Sequence, residues 1–220
     1  MVSSTKSIVR DQFEQNKIGW KKSLLEGFSQ DDDGNFVPWM TYPAIEFLKN
    51  NLKPEHEIFE FGCGASTLFF SKRVKKVVGL ETNPRWLGII NEKLQDDKNW
   101  TPSCDVVTSD SLSSIVTPSH NVKINLLEDG LTNPAYENFA KNCGQKFDFI
   151  IIDSLKRFEC AKNVIDALKP NGTIILDDSE RKNYKKIFDF FTEKGFQQTN
   201  FFGIAPGQLR IKNTTFFNLL

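Results

Sequence analysis

Residues 58 to 83, IFEFGCGASTLFFSKRVKKVVGLETN, constrain the fold of this chain more than any other stretch. An apolar run carries Glu60 near its end. A glycine turn follows (Gly62, Cys63, Gly64), then a helix-like segment, then a second apolar run (Val77, Val78, Gly79, Leu80) closed by Glu81. This is a strand–turn–helix–strand unit with a carboxylate at the tip of each strand. In an open parallel sheet, ligands bind outside the carboxyl ends of the strands. Gly62 and Gly64 let the backbone turn sharply and come close to a bound molecule, where a Cβ would clash. Glu81 stands where a carboxylate accepts hydrogen bonds from both hydroxyls of a ribose. The unit is suited to a nucleoside-containing cofactor.

A dinucleotide fingerprint requires G-x-G-x-x-G, its third glycine serving close helix–strand packing. Thr67 occupies that third position. The form present, E-x-G-x-G, resembles motif I of the class I S-adenosylmethionine-dependent methyltransferases. The resemblance implies that Glu60, Gly62, Cys63 and Gly64 bind the methionine end of the cofactor and Glu81 its ribose. It extends over roughly residues 45 to 220. Arg157, Cys160, LKPNGTIILDDSER and Tyr184, with W-x-T-Y-P at Trp39 to Pro43, also resemble a bacterial group of uncharacterised methyltransferase-like proteins.

At 220 residues, one α/β domain with a full core is expected. Residues 1–45 read as an N-terminal helical cap or lid, and residues 46–220 as the cofactor-binding domain. The formal net charge of zero gives no sign of a nucleic-acid partner, since nucleic-acid binders carry a basic excess or stripe. The four cysteines (Cys63, Cys104, Cys143, Cys160) form no C-x-x-C pair and read as reduced thiols. The N-terminus lacks a signal-peptide core, and no segment reads as a membrane span. The expectation is a cytoplasmic protein acting on a small molecule, with oligomeric state open.

Apolar patterning predicts strands near 57–61, 76–80, 104–108, 147–152 and 172–177. Helical segments are expected near 66–73, 84–96, 157–168 and 181–194, with one or two amphipathic helices within 1–28. Strands alternating with helices argue for a parallel sheet. FDFIIID is nearly continuous in apolar residues, as a strand covered on both faces should be. The tail reads as two β-like runs separated by Gly and Pro. The expected fold is α/β: a doubly wound, mostly parallel seven-stranded sheet with a C-terminal antiparallel hairpin, the hairpin ending being implied by the resemblance. DDDGN at 31–35 reads as a turn, since its spacing does not suit a calcium loop.

Asp110 follows the third predicted strand. The resemblance implies contact with the adenine amino group, and the plain alternative is a helix cap or turn acid. Asp153 closes the fourth strand, where the family meets its substrate. Asp177 and Asp178 close the fifth. Three converging carboxylates repel one another and call for a counter-charge. Mg²⁺ would supply it, and the spacing resembles the catechol-type metal-dependent O-methyltransferases, with Asp178 in place of their Asn. Pairing with Arg181 or Arg157 is the alternative. Trp39, Tyr42 and Pro43 read as core beneath a helix, with an acceptor-pocket wall as the second reading. His56 and His120 have no nucleophile partner, which argues against a hydrolase triad.

These residues imply methyl transfer to an oxygen of a small hydroxylated metabolite or sugar, with Asp153 as base or with a metal on Asp153, Asp177 and Asp178. A NAD-dependent oxidoreductase and a non-catalytic cofactor-binding module are the alternatives.

Overall fold

The computed structural model describes residues 19–95, 104–105, 113–116 and 122–219. The glycine turn is the hinge of the first unit: β1 (Glu57–Phe61) runs through it into α3 (Ala65–Ser71), and the chain returns as β2 (Lys76–Glu81). Before β1 lie α1 (Trp20–Glu26) and α2 (Tyr42–Asn51). After β2 come α4 (Pro84–Gln95), β3 (Cys104–Asp105), β4 (Ser113–Val116), β5 (Val122–Leu126) and α5 (Ala135–Asn142). The chain continues with β6 (Phe147–Ile152), α6 (Arg157–Asn163), β7 (Leu168–Leu176), α7 (Lys185–Glu193), β8 (Gln197–Gly203) and β9 (Lys212–Asn218).

The nine strands of the described residues form one sheet in the order β3-β4-β5-β2-β1-β6-β7-β9-β8. The five central strands, β5 to β7, are mutually parallel. β9 joins β7 antiparallel and pairs with β8, which gives the expected terminal hairpin. Seven strands, β5-β2-β1-β6-β7-β9-β8, therefore make the doubly wound sheet read from the sequence. β4 and β3 add an antiparallel extension beyond β5.

Apolar residues alternate between two buried layers, as a sheet covered on both faces requires. Ile58, Phe149 and Ile151 face a layer shared with α2, α3 and α4. Phe59, Phe61, Ile150 and Ile152 face a layer shared with α5, α6 and α7. Full burial of each such side chain is worth roughly 1.5–3 kcal/mol, so the central strands anchor the fold. Phe28, Val37 and Met40 of the N-terminal segment belong to the first layer.

The third parallel strand differs from expectation. The strand beside β2 is Val122–Leu126, and 104–105 is a short antiparallel edge. The reason is visible in VKINL: Lys123 and Asn125 interrupt the apolar run and make a five-residue strand look like linker. The helix α5 was hidden in the same way among polar residues. Asp110, read as the acid at the tip of the third strand, lies outside the described residues, and the tip next to Glu81 belongs to β5.

Candidate functional site

At the carboxyl edge of β1, the backbone has to reverse within two residues. Gly62 does so with φ of +87°, a conformation that side chains rarely tolerate. A Cβ there would also stand 2.6 Å from the Asp153 carbonyl oxygen, so the turn lies directly against the end of β6. The amide of Gly62 donates to the Leu80 carbonyl at 2.9 Å. The Cys63 sulfur fills the space that a Cβ on Gly79 would need, which seats the turn on β2. Gly64 is extended, and its N–H donates to Thr67 Oγ1 at 3.0 Å.

Glu81 is buried and closes this turn from the β2 side. Its Oε2 accepts from the Cys63 amide at 3.0 Å, and its Oε1 accepts from the amides of Thr82 and Asn83 at 2.7 and 2.8 Å. The carboxylate is thus fixed by three backbone donors at the mouth of a cleft of about 310 Å³. Gly62, Cys63, Gly64, Glu81 and Asp153 all line that cleft. Ser29, Ser66, Ser154 and the aromatic rings of Phe28, Trp39 and Trp86 line it too, and among the described residues no lysine, arginine or histidine does.

Glu60 is placed differently. It lies fully buried under the turn rather than in the cleft wall, and neither carboxylate oxygen has a hydrogen-bond partner. Burial pushes its carboxyl up to about 8, and the nearby Asp153 and Glu81 carboxylates add to the rise.

The aromatic wall was only partly legible. Trp39 was read as core, and it borders the cleft, its indole N–H donating to the Pro206 carbonyl at 2.7 Å. Tyr42 is partly buried against the first layer, in line with the core reading. Phe28 and Trp86 carried no signal beyond apolar spacing. Trp86 is brought over the turn by the first part of α4 and donates to the Cys63 carbonyl at 2.7 Å.

Asp153, Asp177 and Asp178 do converge, as expected from the strand ends, but cations from elsewhere in the fold meet them. Asp153 pairs with Arg157 at 2.7 Å and is about one-third exposed. Burial raises its carboxyl, and Arg157 and Lys212 oppose the rise. Asp177 is bound by the Lys212 ammonium and by the Thr214 hydroxyl at 2.7 Å. Asp178 is held by Arg181, by Arg210 at 2.8 Å and by Lys212 at 2.8 Å. The repulsion that called for Mg²⁺ is answered by four side-chain cations. Among the described residues no group of His, Cys, Asp or Glu is arranged to hold a metal ion. This donor set does not fit the expected Mg²⁺. Arg157 and Arg181 are both partners expected from the sequence; Arg210 and Lys212 were missed because they lie more than thirty residues downstream in the tail.

No family model matches the chain, and no curated protein matches it in sequence. Solved structures do match. A putative O-methyltransferase from Klebsiella pneumoniae is 15% identical, with 94% of this chain and 99% of that one covered at a TM-score of 0.57. An rRNA methylase from Streptococcus thermophilus is 16% identical, covering 81% and 96% at a TM-score of 0.53. A putative methyltransferase from Streptococcus mutans, solved in complex with SAH, is 14% identical, covering 79% and 94% at a TM-score of 0.53. The chain has the Rossmann-like fold of these methyltransferases. Within that Rossmann-like fold, the cleft lies at the carboxyl edge of β1, β2 and β6. No helix of the described residues is long and apolar enough to cross a membrane.

Proposed function

We propose that this chain is an S-adenosylmethionine-dependent methyltransferase that methylates an oxygen of a small hydroxylated metabolite or sugar. The observation that carries the cofactor reading is the character of the cleft: two carboxylates, three aromatic rings and no basic side chain among the described residues. A pyrophosphate cofactor would meet the Glu81 carboxylate there, with no basic side chain in the lining among the described residues. The amides that would cradle a phosphate are already engaged, Cys63 by Glu81 and Gly64 by Thr67. A nucleoside bearing a sulfonium suits the same cleft. Glu81 offers carboxylate oxygens to its ribose, and Gly62, Cys63 and Gly64 give close backbone approach. Glu60 would support the turn from beneath, and Asp110 keeps the adenine role implied by the resemblance.

The bound cofactor supplies an already activated methyl group, so the protein's task is positioning, worth up to roughly 7–11 kcal/mol in favourable cases. Asp153 is the base in this reading. Its carboxylate faces the cleft, burial makes it more basic than an ordinary aspartate, and Arg157 holds one of its oxygens. Asp177 and Asp178 anchor the framework behind it. The N-terminal segment acts as the cap, since Phe28, Ser29 and Trp39 close one side of the cleft. The zero net charge favours a small acceptor over a nucleic acid. The similarity to an rRNA methylase is one of fold, and RNA oligonucleotides belong in the acceptor screen.

The test is a thermal-melt titration with S-adenosylhomocysteine, with NAD as control. Ligand at a hundred times its dissociation constant adds about 2.7 kcal/mol. For a chain of this size that raises the melting temperature by roughly 5–10 °C. A shift with NAD alone would overturn the proposal. An acceptor screen then separates an enzyme from a silent binding module: Asp153→Asn should keep the shift and lose turnover.

A further inference from the structure

The cleft wall contains more aromatic surface than a hydrophobic seal requires, and its geometry is specific. Trp39 and Trp86 are nearly parallel, 12° apart with ring centroids separated by 6.4 Å, and Phe28 lies 5.6 Å from Trp86. An indole has one polar atom, its N–H donor. In Trp86 it is committed to the Cys63 carbonyl, and in Trp39 to the Pro206 carbonyl. What the two rings offer a ligand is therefore hydrocarbon and π surface. The Trp39 backbone is held as well, its carbonyl accepting from Lys212 Nζ at 3.0 Å. Glu81 and Asp153 line the same cleft, with Arg157 behind Asp153 at 2.7 Å and the Lys93 ammonium over the Phe28 ring at 5.8 Å, so the two indole faces are the aromatic surface left for a ligand. Aromatic faces attract a cation through their quadrupole, Trp most strongly, and carboxylates attract it by charge.

We propose that Trp39 and Trp86, together with Glu81 and Asp153, form a seat for a sulfonium cation, so that the cleft distinguishes charged cofactor from uncharged product. The proposal rests on the cofactor reading above. In the transfer, the bond from sulfur to methyl breaks and a bond from acceptor oxygen to methyl forms. The electron pair stays on sulfur, which becomes a neutral thioether, and the acceptor proton passes to Asp153. The seat loses its cation at that moment, and S-adenosylhomocysteine is released more readily than S-adenosylmethionine is lost. Tight holding of the ground state does not itself speed the chemistry; its effect is on cofactor choice and product release.

The experiment is calorimetric titration of S-adenosylmethionine and S-adenosylhomocysteine into the full chain and into Trp39→Leu and Trp39→Phe. The wild type should prefer the charged ligand. Trp39→Leu should weaken S-adenosylmethionine about tenfold, the scale of a desolvated cation–π contact, and change S-adenosylhomocysteine less than about threefold. Trp39→Phe, which keeps a π face and drops the N–H, should retain most of the preference. Equal losses for both ligands would overturn the proposal, because the ring would then be holding a neutral part of the cofactor. Should Trp39→Leu not fold, the wild type alone decides. Sinefungin, with an ammonium group in place of the sulfonium, should bind like the charged ligand, and affinity equal to that of the thioether would sink the idea. Binding of neither cofactor form by the wild type is a different failure, that of the cofactor reading itself.

Discussion

Two groups of acids stand at the carboxyl edge of one sheet, and they have opposite fates. Glu81 lines the cleft and is held by backbone amides alone, and Asp153 lines it with Arg157 on one of its oxygens. At the end of the neighbouring strand β7, Asp177 and Asp178 sit among Lys212, Arg181 and Arg210 and are nearly sealed from solvent. Both groups follow the same sequence rule, an acid after an apolar strand. What separates them is a partner from β9 and the loop before it, more than thirty residues downstream. An acid at a strand tip is a candidate site only while the fold leaves it open to the cleft rather than enclosed by cations. The lesson applies most directly to the metal expectation, which rested on like-charge repulsion that Lys212 and three arginines relieve.

The largest effect that would sharpen this contrast lies in the sealed group. Lys212 and Asp177 are each 2% exposed at their side chains. Removing one member of a buried pair strands the other, at a cost of about 3–5 kcal/mol. Lys212→Met should therefore lower stability by that amount in urea unfolding, and a loss below about 1 kcal/mol would show that the network is not sealed. The open group should behave differently. Glu81→Gln should reduce S-adenosylhomocysteine affinity by about 1.5–3 kcal/mol, the worth of hydrogen bonds to a charged group, measured by calorimetry. Unchanged affinity would remove Glu81 from the ribose.

A third effect, set by pH, concerns Glu60, which has neither the cations of one group nor the exposure of the other. Its carboxyl is pushed from the usual 4.5 up to about 8, so the folded chain binds that proton more tightly than the unfolded chain. Stability from this group is complete below about pH 4.5, declines as pH rises, and is gone above about 8. Glu60→Gln should melt like the parent at low pH, gain on it progressively through neutrality, and hold a constant lead above pH 8. A difference that does not vary with pH would mean that Glu60 is not protonated in the fold.

The parts of the molecule that were legible in the sequence are those where one physical demand dominates. FDFIII had to be covered on both faces, and the glycine turn between two acid-tipped runs could hardly be anything but a strand-to-helix turn. VKINL and the helix after it were missed because their apolar residues are too few and too interrupted to show a period. In the site, the turn and Glu81 were legible because they are local. Trp86, Phe28 and Lys212 were not, because their roles arise from contacts made across the fold rather than from their neighbours in sequence.

The segment around Trp39 is stitched to the far end of the chain. Thr41 bonds the Phe201 carbonyl at 2.9 Å and the Thr214 hydroxyl at 3.2 Å, and the Tyr42 amide reaches the Ile204 carbonyl at 3.0 Å. Trp39 bonds Pro206 and Lys212. During synthesis, residues 39–42 leave the ribosome early and wait for about 160 more residues before their partners exist. This part of the cleft wall is therefore fixed only once Phe201 and Pro206 are in place. A chain that stops short of Phe201 carries the whole glycine turn and Glu81 without the bonds that fix Thr41 and Trp39, so one wall of the cleft depends on strands that the turn itself does not need.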